Sequence, residues 1–205
     1  PITSIKGYLQ ISARAQKDKV GQLFVDKALV QVERLNSLVT DLLDSSKIVA
    51  GKLQFNLENF DLCQSLREVI ETFNYSIISH RINFSDPNCR YIINADKQRI
   101  EQVLSNLLNN AIKYSPNANE VFISMEEEEG MIKVKIRDEG IGLSEAQKNK
   151  IFTRFYRADA PANISGLGLG LYLTKEIIDR HAGFIDVDTE PHKGSTFYFS
   201  LPLVQ

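Results

Sequence analysis

The segment 99–116 constrains the fold of this chain more than any other, because its apolar residues recur with the period of an α-helix. The spacing predicts a helix with one buried face, made of Ile100, Val103, Leu104, Leu107, Leu108 and Ala111. At about 100° per residue, Asn106, Asn110 and Lys113 lie along one edge of that face. Tyr114 falls between this edge and the face. Polar side chains at the border of a core face are where a pocket wall is expected.

The two asparagines of this helix indicate a ligand site, because asparagine is an indifferent helix former. An amide oxygen such as that of Asn110 can ligate Mg²⁺, which usually keeps waters and substrate phosphate oxygens as its other ligands. Lys113, one turn further on, can meet a phosphate as a point charge. Taken alone, the same pattern also fits a solvated helix edge.

Three glycine-bearing segments follow the helix and favour the ligand site. They are Asp138-Glu-Gly-Ile-Gly142, Gly166-Leu-Gly-Leu-Gly170 and Gly194-Ser-Thr196. Together with the asparagine helix, and in this order, they resemble the ATP-binding domain of sensor histidine kinases, which are members of the Bergerat-fold ATPases. In the terms of that family, the similar segments are 106–115 (N box), 138–142 (G1 box), 152–157 (F box), 166–171 (G2 box) and 194–197 (a final glycine box).

The resemblance implies a role for each polar side chain of the N and F boxes. Asn110 is expected to ligate Mg²⁺, and Asn106 and Lys113 are expected to lie near the phosphates of ATP. Tyr114 is expected to lie against the base, and Arg157 to approach the terminal phosphate. The expected catalytic residues are therefore Asn106, Lys113 and Arg157.

The glycine boxes are expected to hold both ends of the nucleotide. Asp138 follows a predicted strand, and the resemblance implies that its carboxylate accepts a hydrogen bond from the adenine amino group. Taken alone, Asp-Glu-Gly also fits an ordinary turn. Ser195-Thr196 is expected to close the adenine end, with Thr196 as the contact residue. Free N–H groups at the start of the G2-box helix favour phosphate. The other expected contacts are Gly140, Gly142, Gly166, Gly168, Gly170 and Leu171.

Residues 1–50 are predicted to form a helical hairpin with a turn at Asp18-Lys19-Val20-Gly21. The second helix has heptad spacing over Ala28, Val32, Leu35, Val39, Leu42, Ser46 and Val49. Leu38 and Leu43 widen its apolar face, which two helices cannot enclose. We therefore expect a homodimer through residues 1–50, as a four-helix bundle. The family's dimerisation and phosphoacceptor domain is such a bundle. The alternative is a hairpin packed on its own downstream domain.

The family's first helix carries the motif His-Glu-x-x-Thr-Pro followed by an apolar run. That motif is matched, from its proline onward, by Pro1-Ile-Thr-Ser-Ile-Lys-Gly-Tyr-Leu9. We therefore expect this sequence to be a piece of a longer protein, with the phosphoacceptor histidine and its acidic neighbour just ahead of Pro1. The chain as given is expected not to phosphorylate itself. The histidines that it does contain, in unrelated contexts, are His80, His181 and His192.

The composition is that of a soluble globular protein, with 43% apolar and 24% charged residues. A net charge of −2 gives no sign of polyanion binding, so nucleic acid is not an expected partner. Cys63 and Cys89 form no metal-ligand pattern and suggest no disulfide framework, which fits a reducing, cytoplasmic setting. No apolar run approaches the ~20 residues that cross a bilayer, and whether the parent protein has a membrane anchor stays open.

The predicted fold class is α+β, with a helical hairpin over 1–50 and an α/β sandwich of the Bergerat ATP-binding fold over 53–205. A strand is predicted at 53–57, where apolar and polar residues alternate. Asp61 is predicted to cap the next helix, with Gln64 completing a capping box. Asp96 is predicted to cap the asparagine helix.

Three functions are compatible with these features. The favoured one is the catalytic core of a sensor histidine kinase, which passes the ATP γ-phosphate to a histidine of the bundle and thence to an aspartate of a response-regulator receiver domain. The second is an ATPase or serine-directed kinase of the same superfamily, which the heptad hairpin and the match at 1–9 disfavour. The third is a non-catalytic, nucleotide-sensing dimer.

Overall fold

The structure is a computed structural model, and it describes residues 6, 7, 9, 10, 19–76, 80–86, 88–158 and 167–204. The chain divides into two compact units, Pro1–Lys52 and Leu53–Gln205. In the described part of the chain, every helix is too short or too polar to span a membrane.

The first unit contains a long helix, α1 (Lys19–Val49), and a helical segment at residues 6, 7, 9 and 10. An ion pair of 2.7 Å between Lys6 Nζ and Glu33 Oε1 joins the two. The predicted turn is wrong where the structure describes it, because Lys19, Val20 and Gly21 already belong to α1. Asp18 lies outside the described residues.

The heptad positions of α1 carry apolar side chains that a single chain leaves in water. Leu35 is 50% exposed, and Val39, Leu42 and Val49 are also exposed. Leu43, which widens the face, is exposed as well. A row of exposed large apolar side chains on one helix is a feature of an interaction surface.

The second unit is a sandwich of helices and strands. Its elements are β1 (Glu58–Asp61), α2 (Leu62–Ser76), β2 (Arg81–Phe84), β3 (Ile92–Ala95), α3 (Lys97–Tyr114), β4 (Glu120–Glu128), β5 (Met131–Asp138), α4 (Glu145–Lys148), α5 (Gly170–Arg180), β6 (Phe184–Glu190) and β7 (Gly194–Pro202). The main sheet has the order β2-β4-β5-β7-β6, in which only the β2–β4 pair is parallel. The predicted α+β class is confirmed.

The core lies between this sheet and the apolar faces of α2, α3 and α5. Side chains alternate along the strands, so that Val134 and Ile136 of β5 and Phe197 and Phe199 of β7 are buried on one face. The opposite face carries polar residues and charged pairs such as Lys135 with Glu126, 2.7 Å apart. Alternation therefore decides which side chains at a strand end belong to the helix side of the sheet.

The predicted strand at 53–57 is wrong, since β1 begins at Glu58 and pairs with β3 in a separate two-stranded sheet. Side-chain contacts hold the preceding segment instead. The backbone N–H of Asn56 donates to Asp96 Oδ2 at 2.9 Å, and the ring of Phe55 meets His181 edge-on at 4.9 Å between ring centroids.

Asp61 lies at the start of α2, where its Oδ1 accepts a hydrogen bond from the N–H of Cys63 at 3.0 Å. The predicted capping box is wrong, because the side chain of Gln64 donates to Glu68 one turn further along the helix. Asp61 Oδ1 also accepts from the N–H of Tyr91 at 3.2 Å, which attaches the chain before β3 to the helix.

A disulfide joins Cys63 and Cys89, with 6.0 Å between the Cα atoms. The expectation that the cysteines form no disulfide is therefore wrong. Their separation of 26 residues gives no local sequence signal, and the fold brings them together because Cys63 opens α2 while Cys89 precedes β3. Both sulfurs lie 3.8 Å from Met125 Sδ.

Candidate functional site

The asparagine helix is α3, and its predicted buried face is confirmed residue by residue. The buried side chains are Ile100, Val103, Leu104, Leu107, Leu108 and Ala111. Asp96 caps the helix as predicted, since its Oδ1 accepts from the N–H of Arg99 at 3.1 Å. Asn106, Asn110 and Lys113 are each half-buried, as expected for side chains at the border of the core.

His181 connects the start of α3 to the end of α5. The N–H of Asp96 donates to His181 Nε2 at 3.0 Å. The other ring nitrogen, Nδ1, donates to the carbonyl oxygen of Ile177 at 2.7 Å. Because Nε2 accepts and Nδ1 donates, these contacts need the neutral ring. The histidine is 7% exposed and thus has a structural position.

The G1 loop packs on the C-terminal end of α3. The N–H of Ile141 donates to the carbonyl oxygen of Tyr114 at 3.1 Å. A Cβ atom on Gly140 would overlap that same carbonyl oxygen, so the loop needs glycine at this position. Asp138 and Tyr114, which come from separate segments of the sequence, are thereby brought to one place.

Asp138 is 3% exposed, and its Oδ1 accepts a hydrogen bond of 2.8 Å from the N–H of Gly140. Burial raises the pKa of Asp138 to about 6, and hydrogen bonds from the backbone N–H groups of Gly140 and Ser195 oppose this rise. A buried carboxylate that retains its charge near neutral pH is a strong hydrogen-bond acceptor.

The turn between β6 and β7 supports the G1 loop from the other side. The N–H of His192 donates to the carbonyl oxygen of Ile141 at 2.7 Å. A Cβ atom on Gly142 would overlap the carbonyl oxygen of Glu190, and one on Gly194 would overlap that of Asp138. Both glycines have positive φ, +62° and +89°. The G1 box and the final glycine box are therefore one packed unit.

Thr196 and Asp138 both border an open cleft of about 310 Å³, but they are not opposite each other in the sheet. In the β5–β7 register Thr196 is opposite Arg137, on the outer face of the sheet, whereas Ser195 is opposite Asp138. Thr196 and Arg137 line an open groove of about 370 Å³ on that outer face, together with Phe122. The register places the side chain of Ser195, rather than that of Thr196, on the face of the sheet that carries Asp138. The assignment of Thr196 as the adenine contact stays a prediction.

One further hydroxyl group at this end, that of Thr189, was not identified from the sequence. Thr189 Oγ1 lies 2.9 Å from Ser195 Oγ, accepts from the N–H of Leu143 at 2.9 Å, and donates to the carbonyl oxygen of Gly194 at 3.1 Å. The sequence pattern indicates its position, because side chains alternate along a strand. Thr189 lies on the same face of β6 as the buried Val187, and Ser195 lies on the same face of β7 as the buried Phe197.

The G2 box opens α5. Gly168 has φ +69°, and a Cβ atom there would lie 2.5 Å from the carbonyl oxygen of Tyr156, so the box packs on the F box. Leu169 is the N-cap residue and its apolar side chain makes no capping hydrogen bond. The first N–H groups of such a helix are where an anion is favoured. Leu171 is partly buried against the core. Gly166 lies outside the described residues.

Gly170 lies directly against the N box. A Cβ atom on Gly170 would lie 2.5 Å from Asn106 Oδ1, while Asn106 Nδ2 donates to Thr174 Oγ1 at 2.7 Å. Asn106 therefore contacts the first turn of α5. Thr174 escaped the sequence analysis, although a hydroxyl beside the apolar Leu173, Ile177 and Ile178 was a signal.

The cationic side chains surround Tyr114. Lys113 Nζ lies 5.0 Å from the centroid of the Tyr114 ring. Burial raises the pKa of Tyr114, and the positive charge of Arg157 opposes that rise, which indicates that Arg157 lies near the ring. Arg157 itself is exposed. The N, G1, F and G2 boxes thus meet around the C-terminal half of α3.

Metal ligands of the usual charged or thiol kind are not clustered here. Across the described ranges, no group of three or more His, Cys, Asp and Glu side chains could hold a metal ion. A cation bound at this site would take its protein ligand from the amides of α3. The half-buried Asn110, one turn from Asn106, fits the preference of Mg²⁺ for few protein ligands.

Comparison with known families identifies the chain. Residues 95–205 match the family of histidine kinase-, DNA gyrase B- and HSP90-like ATPases, and residues 1–51 match the His Kinase A phospho-acceptor domain. The chain is a member of the histidine kinase family. The resemblance drawn from the glycine and asparagine boxes is thereby confirmed, and both the phosphoacceptor and the ATP-binding domain types of histidine kinases are present.

Individual relatives agree with this assignment. The sensor histidine kinase WalK of Bacillus subtilis (strain 168) is 33% identical over 98% of this chain and 34% of its own length. The structure of histidine kinase AdeS of Acinetobacter baumannii is 26% identical, with a TM-score of 0.69 over all of this chain and 96% of that one. Full-length ShkA in complex with AMPPNP has a TM-score of 0.77 over all of this chain and 43% of that one. At 24% identity, ShkA shows the fold alone.

The chain spans about a third of the length of WalK. The similarity therefore covers only part of that relative.

Proposed function

We propose that this chain is the catalytic core of a sensor histidine kinase in a two-component system, which transfers the γ-phosphate of ATP to a histidine of the phosphoacceptor helices. An N–P bond forms at the imidazole, the bond between the γ-phosphorus and the β,γ-bridging oxygen breaks, and ADP leaves. The observation that carries the proposal is the convergence of Asp138, the amides of α3 and the uncapped N-terminus of α5 in one site.

Each group of the site has a role in this proposal. The carboxylate of Asp138 accepts from the adenine amino group, and Ser195 and Thr189 close that end of the pocket through their mutual contact. The base lies against Tyr114. The first N–H groups of α5 bind the phosphates, since an uncapped helix N-terminus attracts negative charge.

Lys113 and Arg157 approach the transferring phosphoryl group, where positive charge stabilises the charge of the transition state. Asn106 and Asn110 line the same edge of α3, and Asn110 would hold Mg²⁺. The metal ion would supply charge neutralisation between the phosphate oxygens. Phosphoryl transfer is governed mainly by placement and electrostatics, which fits a site assembled from rigid elements.

We propose that residues 1–50 form a homodimeric four-helix bundle and that residues 53–205 form the ATP-binding domain. The exposed apolar side chains at the heptad positions of α1 support the dimer. From the histidine, the phosphate passes to an aspartate of a response-regulator receiver domain. Since ATP is the substrate, the proposed location is the cytoplasm, either free or as the inner part of a membrane-anchored sensor.

Leu35→Asp is expected to convert the dimer into a monomer, because it places a charge in an apolar seam. Light scattering at micromolar concentration measures the change. Val30→Asp is the matched control, since Val30 is 59% exposed on α1 but lies outside the heptad positions, and it is expected to leave the dimer intact. If the Leu35→Asp variant remains dimeric, the dimer interface does not include the heptad positions of α1.

The decisive test of catalysis uses radiolabelled ATP. The 205-residue chain is expected to bind Mg²⁺-ATP without labelling itself. A longer form that carries the His-Glu-x-x-Thr segment ahead of Pro1 is expected to gain phosphate that is labile in acid and stable in base, as a phosphoramidate is. Label on the 205-residue chain itself would contradict the proposed acceptor, and label on a hydroxyl in the longer form would favour a serine-directed kinase.

In the longer form, Asn110→Asp is expected to slow labelling about tenfold, because a formal negative charge beside the phosphates repels them and alters the Mg²⁺ site. Asn109→Asp is the control, since it makes the same chemical change at an exposed position of α3. Equal labelling rates in the two variants would remove Asn110 from the site.

A further inference from the structure

Thr174 is a buried hydroxyl in the contact between the two helices that build the phosphate end of the site. It is 1% exposed on α5, one turn after Gly170, with buried Leu173, Ile177 and Ile178 as its neighbours on the helix. A threonine in such surroundings loses hydration and is retained only with a hydrogen-bond partner. Its Oγ1 accepts from Asn106 Nδ2 at 2.7 Å.

The amide of Asn106 contacts α5 at two residues, Gly170 and Thr174. Thr174 engages the nitrogen, and the oxygen lies where a Cβ atom on Gly170 would come within 2.5 Å of it. The side chain therefore contacts the whole first turn of α5. The amide nitrogen also lies 2.9 Å from the position of a Cβ atom on Gly170, so the whole amide group packs against the start of α5.

The contact between Asn106 and Thr174 lies beside the groups of α3 and α5 that are proposed to bind the phosphates. The N-terminus of α5 is uncapped at Leu169 and Gly170, and Asn110 and Lys113 follow Asn106 by one and two turns on α3. A shift of α5 along α3 would change the distance between its free N–H groups and these two side chains. Placement errors of this kind weaken phosphate binding strongly.

We infer that Thr174 is a positioning residue for the phosphates, which acts through Asn106 and does not itself touch the nucleotide. The inference rests on the proposed function and deepens it. Thr174 fixes the position of the α5 N-terminus along α3, and thus its distance from Asn110 and Lys113. A residue with this role affects binding of the phosphate groups but not binding of the adenine, which is proposed to contact Asp138 beside the C-terminus of α3.

The test measures the dissociation constants of the 205-residue chain for adenosine, ADP and ATP, by calorimetry or ligand-observed NMR. Mg²⁺ is present in the measurements with ADP and ATP. Thr174→Val keeps the size and removes the hydroxyl, and Thr174→Ser keeps the hydroxyl. The valine variant is expected to bind ADP and ATP about tenfold more weakly, with adenosine changed by less than about twofold. The serine variant is expected to restore ADP affinity to within about threefold of the wild type.

A double-mutant cycle identifies the route of the effect. If Thr174 acts through Asn106, then Thr174→Val adds nothing to the loss of ADP affinity in an Asn106→Ala background. Full additivity of the two substitutions would overturn the inference. Unchanged ADP affinity in Thr174→Val would also overturn it. An equal loss of affinity for adenosine and ADP would show a merely structural role and would overturn it as well. Should the valine variant not fold, the comparison of Thr174→Ser with Thr174→Ala gives the same contrast. A wild-type chain that binds no ADP would instead overturn the proposed function itself.

Discussion

Asp138→Asn is expected to weaken binding of both adenosine and ATP by roughly 5- to 150-fold at about pH 7.5. The reason is that the NH₂ group of the asparagine would face another hydrogen-bond donor, which would then be buried without an acceptor. The native carboxylate accepts from the N–H groups of Gly140 and Ser195 and retains acceptor capacity for the adenine amine. An amide offers one oxygen and one NH₂ group, so one of these donors loses its acceptor. Calorimetry with a folded variant measures the loss, and unchanged affinity would remove Asp138 from the adenine site.

The pH profile of the wild type gives an independent check. The pKa of Asp138 is raised by burial to about 6, and adenine binding favours the charged form. Affinity for adenosine is therefore expected to fall as the pH drops below about 6, approaching tenfold per pH unit. Adenosine is the suitable ligand, since it carries no phosphate that titrates in this range. In Asp138→Asn the profile is expected to be flat.

The effect of the same carboxyl group on folding has the opposite sign. Because its folded pKa lies above the ordinary value of 3.8, the folded chain holds the proton more tightly than the unfolded chain. The resulting stability is complete below about pH 3.8 and is lost as the pH rises through about 6, on the order of 3 kcal/mol in all. Without nucleotide at neutral pH, Asp138→Asn should thus resist urea at least as well as the wild type. Lower affinity without lower stability separates a lost contact from a damaged fold.

Features set by local periodicity were predictable from the sequence. The buried face of α3 emerged correctly because a helix of this length repeats its apolar spacing several times, and Asp96 was recognised because capping depends on a few adjacent residues. The strand at 53–57 failed because alternation alone does not supply a partner strand. β1 begins directly after the end of that segment, at Glu58, where β3 offers hydrogen bonds.

The candidate site was predictable to the level of segments but not to the level of every side chain. Ser195 and Thr196 are adjacent in sequence, and a strand turns adjacent side chains to opposite faces, so an error of one position exchanges the core side for the outer side. The buried side chains of Phe197 and Phe199 show which residues of β7 face the core, and Ser195 shares that face. The proposed contact of Ser195 with the adenine end rests on this face.

Contacts that join distant segments were invisible in the sequence. The disulfide between Cys63 and Cys89 and the bond between Asn106 and Thr174 each need the folded arrangement of two elements. A hydroxyl within an apolar helix face could be noticed at Thr174, but its partner 68 residues away could not be named. Long-range pairing is a property of topology and is not encoded by local propensity.

Gly142→Ala is expected to have the largest effect, a loss of ATP affinity of roughly 100-fold or more, equivalent to about 2.8 kcal/mol. The residue has φ +62°, and the added Cβ would overlap the carbonyl oxygen of Glu190, a backbone atom that cannot rotate away. The turn between β6 and β7 would have to move. That turn leads into Gly194, the first residue of β7, which packs on the backbone of Asp138, so the displacement reaches the proposed adenine end.

The chain offers a matched control for the backbone strain. Gly130 also has positive φ, +76°, but nothing lies within 4 Å of the position of its Cβ atom. Gly130→Ala should therefore lose about 1 kcal/mol of stability from the left-handed conformation and keep its affinity for ATP. Urea unfolding of both variants measures the stability lost to backbone strain. Calorimetry with ATP measures the affinity lost to the steric overlap, which only Gly142→Ala introduces. If the two variants bind ATP equally well, the close contact between the G1 loop and the β6–β7 turn has no part in forming the site.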